Sequence, residues 1–266
     1  MERMRVLITV KTYPIPSAKY DELVCTAGVR LYPINFRDLP FSQQFKKYQW
    51  IEVDAAKQRG RDARKESYRP DCNTIKLRGE PIPSRDNWAQ RAQYVLARRA
   101  KSMEDLYEQQ RADRTSLGVF KPKKIHDLIY KPDADDWKAS FKAALAQARL
   151  WEDRKVSKNP PRKVPYKFQY VFNCDDPRCR SKHQMMIEDW EVGALYWRQV
   201  DQGATPADAA KTVREKFLGK LCAADRDTHL YVGTILAHPK TWVVIGVFWP
   251  KLAKPKATGA DQPLLF

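Results

Sequence analysis

The chain has 266 residues, 43% of them hydrophobic, and its 49 Lys and Arg against 32 Asp and Glu leave a formal net charge of +17 at pH 7. The apolar content supplies a core and excludes wholesale disorder, while the cationic excess points to a polyanionic partner, most commonly nucleic acid. The longest apolar run, residues 242–249, is far too short to span a bilayer, and the start at Met1 lacks the apolar stretch of a signal peptide, so a cytoplasmic chain with no membrane partner is expected.

Along the chain, the first 83 residues read as a β-rich domain, with strands expected at 5–13, 23–29 and 48–54 between Pro14, Pro16, Pro33 and Pro40, and a small sheet or barrel as the outcome. A helical segment follows over 84–153. Trp88, Ala92, Val95, Leu96, Met103, Leu106 and Tyr107 recur at helical spacing and predict one amphipathic helix with a basic outer face. Trp137, Phe141, Leu145, Ala148 and Trp151 predict a second, begun by Asp133, Asp135 and Asp136, which suit the helix dipole. Residues 156–165, with three prolines and several cations, read as a linker or basic loop.

The third part, 154–250, is expected to form a β-α-α-β-β unit. Tyr166, Phe168, Tyr170 and Phe172 alternate along a strand; a helix is expected over 186–200, another after a Thr205 cap and Pro206, then strands at 230–236 and 241–249. The fold class is therefore α+β, with residues 251–266 as a flexible tail.

Five cysteines form an odd set in a chain without an export signal, so metal binding or free thiols are favoured over a disulfide framework. Cys174-x4-Cys179-x3-His183 places three zinc-compatible ligands where a strand gives way to a helix, as in a zinc knuckle. A closed structural site requires a fourth ligand. Cys222, His229 and His238 are the candidates, and Cys222 is preferred because its thiolate would complete a Cys3His set. The competing reading is two ordinary thiols flanking a turn built on Asp175, Asp176 and Pro177.

The polar tail ends in Gln262-Pro263-Leu264-Leu265-Phe266. This pentapeptide resembles the bacterial sliding-clamp-binding motif, which implies that Gln262 hydrogen-bonds at the edge of a clamp pocket while Leu265 and Phe266 fill it. The same resemblance favours DNA over RNA. The alternative is a tail that folds back onto its own domain.

Residues 57–124 carry eighteen Lys or Arg and nine Asp or Glu. Arg59, Arg61, Arg64, Arg98, Arg99, Lys123, Lys124, Arg162 and Lys163 are the expected phosphate contacts. The Tyr166–Phe172 aromatic face could stack bases, although such a stripe is more often core. Catalytic candidates are His183, Glu188, Asp189 and Glu191, which a metal-dependent nuclease could use, although acidic residues at a helix start also serve the dipole. No GxxxxGK[ST] loop, Gly-rich dinucleotide turn, HExxH or GxSxG occurs. The expected function is a basic DNA-associated accessory factor with a structural zinc, acting in replication, repair or defence against mobile DNA. A metal-dependent nuclease and an RNA-binding protein are the alternatives.

Overall fold

A computed structural model describes residues 1–17, 21–23, 29–60, 62, 64–139, 142–143 and 161–253, and the chain is mixed α+β. Strand β1 (Glu2–Leu7) opens the N-terminal sheet; β2 (Ile15–Ser17) and β3 (Asp21–Leu23) pair as a separate ribbon. The sheet continues with β4 (Arg30–Leu31), β5 (Trp50–Lys57), β6 (Ser67–Pro70) and β7 (Lys76–Arg78), in the order β1-β5-β6-β4 with β7 also on β5. Period-two patterning sets its inner face, because Ile51, Val53 and Ala55 are buried while the residues between them are partly exposed. This sheet is open, not a barrel. The expected strand at 5–13 is only half a strand: after Leu7 the chain stays beside β5 through Tyr48 N–H to Ile8 O and Ile8 N–H to Gln49 O bonds, then leaves for the C-terminal half. Most of the expected strand at 23–29 lies outside the described residues.

The single helix expected across 88–107 is two helices, α1 (Ala89–Val95) and α2 (Met103–Asp113). Between them Ala100 donates its N–H to Val119 O at 2.8 Å, and Ser102 caps α2 by accepting from Asp105 N–H. Sheet pairing and a cap thus override the helical periodicity. The second expected helix falls largely on residues 140–141 and 144–151, outside the described residues.

The C-terminal half contains two strands that sequence periodicity does not reveal, β8 (Leu117–Phe120) and β9 (Lys124–Pro132). β9 pairs with β10 (Tyr166–Asn173), whose other edge takes β11 (His183–Met186). The helix expected from residue 186 starts later, as α3 (Trp190–Asp201), because the chain first completes β11 and Asp189 then caps by accepting from Glu191 N–H at 3.0 Å. Thr205 caps α4 (Pro206–Arg214) as expected, and α4 runs into a π-helical turn over Glu215–Lys220. Strands β12 (His229–Thr234) and β13 (Trp242–Phe248) close the unit in the order β13-β12-β8.

Phe168, Tyr170 and Phe172 are 2% exposed or less and form the core between β10, α3 and α4, so these three rings are unavailable to stack on bases, while Tyr166 is partly buried. A second apolar cluster lies under the N-terminal sheet, and a third, with Val10, Tyr48 and Val95 against Tyr231, Val243 and Phe248, seals the two halves together. Two glycines permit this seam. A Cβ at Gly246 would sit 2.5 Å from Val10 Cγ1, and one at Gly193 would sit 2.1 Å from the Tyr13 ring. Among the described residues no helix is long and apolar enough to cross a membrane.

Candidate metal centre and adjoining cavities

The turn from Cys174 to Cys179 is built by Asp176. Its carbonyl accepts from Cys179 N–H at 2.9 Å, and its carboxylate accepts from Ser102 Oγ–H and from the Arg178 backbone and guanidinium. Those bonds hold the Asp176 carboxyl well below the usual carboxylate range. They also tie the turn to the start of α2, and so bring Glu104 to it.

Glu104, Cys174, Cys179 and His183 each offer one ligand atom, and all four atoms lie within 4.8 Å of one another. His183 Nε2 is 3.6 Å from Cys174 Sγ, 3.3 Å from Cys179 Sγ and 3.2 Å from Glu104 Oε1. A tetrahedral ion with bonds of about 2.0–2.3 Å separates its ligands by roughly 3.3–3.8 Å, so these spacings suit a shared cation. Backbone N–H groups point at both sulfurs, from Met103 to Cys174 Sγ and from Cys174 to Cys179 Sγ. Glu104 Oε2 is buried without a hydrogen-bond partner. The imidazole stacks on Phe172 at 5.1 Å, which fixes its plane. Burial, with the Glu104 and Cys179 charges, pushes the Cys174 thiol far up in the absence of a cation, and a bound metal would reverse that. The group could hold a metal ion.

The expected fourth ligand is corrected by this geometry. Cys222 follows the π-helical turn, away from the cluster, where its thiol donates to Phe217 O at 3.2 Å and burial pushes it up to about 12. His229 is fully buried on β12 with Nδ1 3.0 Å from Asp227 O, and neither it nor His238 joins the cluster. Glu104, seventy residues upstream of Cys174, carries no sequence signal beyond an acid in the first turn of a helix.

The phosphate-contact candidates separate into groups. Arg59, Arg98, Arg99 and Lys124 are exposed. Lys123 is exposed but paired with Asp175 at 3.0 Å, and Arg162 is paired with Asp201 at 2.7 Å. Lys163 is held by Asp133, and Arg64 is buried with both guanidinium edges committed. Those last two are structural, which corrects their assignment as phosphate contacts. Arg61 lies outside the described residues, as do Gln262, Leu265 and Phe266.

The catalytic candidates do not converge. His183 belongs to the cluster above, Asp189 caps α3, and Glu191 pairs with Lys47 at 3.5 Å. Burial pushes the Asp189 carboxyl up, against the opposing pull of Lys47. Burial works against the Lys47 ammonium, but Asp189 and Glu191 outweigh it and keep Lys47 protonated. Glu188 differs: its backbone joins Val244 and Tyr13, linking β13, the β11–α3 junction and the N-terminal segment, and the residue lines two cavities. With burial as the cause, its carboxyl is pushed from 4.5 up to about 7. A carboxyl whose folded value is raised contributes stability below pH 4.5 that is lost as pH climbs towards 7. Glu188→Gln is therefore expected to leave urea stability unchanged near pH 4 and to raise it by roughly 2 kcal/mol at pH 8. Parallel pH profiles for the two proteins would contradict this.

A third cavity, of about 350 Å³, is a groove lined by both cations and rings. Tyr13, Arg37, Arg162, Trp190 and Trp197 line it. The Arg162 guanidinium lies 3.6 Å from the Trp197 ring centroid, and Lys11 Nζ lies 4.8 Å from that of Trp190. Trp197 Nε1 is buried with no hydrogen-bond partner.

Residues 99–265 match the family model described as Domain of unknown function (DUF8757), and residues 2–97 match that described as Domain of unknown function (DUF8758). No curated protein matches the chain.

Proposed function

We propose that this chain, which belongs to the family described as Domain of unknown function (DUF8757), is a nucleic-acid-binding protein stapled by a structural zinc. The observation that carries the reading is the groove of Trp190, Trp197, Arg37 and Arg162 on a chain of net charge +17. Rings interleaved with cations accept stacked bases while the cations follow the phosphates, the usual chemistry of single-strand binding. Two sulfurs, an imidazole and a carboxylate suit zinc better than magnesium or calcium. Its role is structural, since the ion would join α2, the 174–179 turn and β11. The pentapeptide at 262–266 favours DNA and recruitment by a bacterial sliding clamp.

The test is binding to single-stranded DNA, duplex DNA and RNA of equal length across a salt series. Tight, salt-sensitive binding with a DNA preference is expected. Trp197→Ala should weaken it about tenfold, in line with roughly 1–3 kcal/mol per stacked base. Neutralising one exposed cation such as Arg98 or Lys124 should flatten the salt slope by about one unit. Absence of binding at low salt would refute the reading. Magnesium-dependent cleavage that is lost in Glu188→Gln would favour the nuclease instead, because Glu188 holds a proton near neutral pH.

A further inference from the structure

At the seam of the two halves lies a cavity of about 340 Å³, large enough for a nucleoside. The segment 2–97 contributes Tyr32 and Arg64, and the segment 99–265 contributes Glu188, Thr234, Val243 and Ile245. The walls are therefore a ring, the two buried guanidinium groups of Arg30 and Arg64, and branched aliphatic side chains. Arg64 cannot act as a free charge, since Asp62 takes two of its nitrogens at 2.7 and 2.8 Å and Thr234 O a third at 3.0 Å. What it can offer is a fixed planar face. Glu188 provides the polar contrast: no hydrogen bond or ion pair to its carboxyl occurs among the described residues, and desolvation alone accounts for its raised value. The Thr234 hydroxyl, also at the wall, is buried without a partner.

We infer that this cavity is a nucleobase pocket, in which an extruded or terminal base lies among Tyr32, Arg64 and Ile245 and presents its hydrogen-bonding edge to the Glu188 carboxyl. The inference rests on the nucleic-acid reading above and deepens it. Flat apolar surroundings with a guanidinium plane hold heteroaromatic rings, and a carboxyl can pair with the adjacent donors and acceptors of a base edge. A carboxyl at the wall disfavours phosphate as the occupant, and both lining arginines already donate, Arg64 to Asp62 and Thr234 O and Arg30 to Ser116 O at 2.9 Å.

The experiment uses the full chain and the four free deoxynucleosides, which carry no phosphate, in ligand-observed NMR titrations, with oligonucleotide binding measured in parallel. At least one nucleoside should bind. Glu188→Gln, whose amide offers both donor and acceptor, should retain affinity within threefold, whereas Glu188→Leu should lose at least tenfold. Thermal melts of both variants verify folding. If oligonucleotides bind but no nucleoside does, or if Glu188→Leu binds nucleosides like the parent, the pocket assignment is overturned while the groove stands. If nucleosides bind with this Glu188 dependence but no oligonucleotide does, the pocket stands and the nucleic-acid reading falls.

Discussion

Replacing Cys174 by serine is expected to release one zinc per chain and to cost about 3–5 kcal/mol, a fall in melting temperature of roughly 6–20 °C for a chain of this size. Cys174 is only 4% exposed and packs in the main core, while its partners come from α2 and from β11. Removing the ion would leave the buried Glu104 Oε2 without a partner beside two closely held sulfurs. Chelation should reproduce most of the loss, and metal analysis of the purified protein with melts before and after chelator measures both. Cys222→Ser should keep the metal, whereas Glu104→Gln should weaken its retention. A preparation without metal, in which Cys174→Ser melts like the parent, would remove the metal centre.

Asp62→Ala is expected to destabilise by about 3–5 kcal/mol, because it strands a buried guanidinium. Arg64 is 9% exposed and Asp62 7%, and their paired bonds of 2.7 and 2.8 Å leave Arg64 Nη1 to reach Thr234 O on β12 at 3.0 Å. The pair thus ties the loop after β5 to the C-terminal sheet. Burial raises the Asp62 carboxyl, but the Arg64 hydrogen bonds and charge outweigh it, so the net direction is downward. A depressed carboxyl contributes stability that is present above its unfolded value and lost as pH falls through the folded one. The cost of Asp62→Ala in urea melts should accordingly be full at pH 7 and shrink in strong acid. The double variant Asp62→Ala, Arg64→Met should be less destabilised than Asp62→Ala alone, since no unpaired charge remains. Equal losses in the two would show that packing, not charge, dominates.

The contrast between Cys222 and Glu104 shows why the site was only partly legible. Cys174, Cys179 and His183 lie within ten residues, and a turn plus a strand pairing suffices to gather them; register alone places His183 opposite Phe172. The fourth member of the cluster, Glu104, depends on how α2 docks on the turn, through the Ser102–Asp176 hydrogen bond at 2.6 Å. Nothing near Glu104 in the chain encodes that docking. The same limit governs Arg64, which reads as one more surface cation until its burial is seen.

By itself the sequence determined what local chemistry controls: the α+β class, the alternating strand β10, the Thr205 cap of α4, the strands β12 and β13, and three of the four residues of the cluster that could hold a metal ion. Each follows from side-chain periodicity, capping or short spacing, which act over a few residues. Only the tertiary structure decided the break between α1 and α2, the pairing of β8 with β12 and of β9 with β10, the choice of Glu104 over Cys222, and the seam where Glu188 meets its cavities. Those depend on contacts between segments far apart in the chain, where packing and desolvation outweigh local preference.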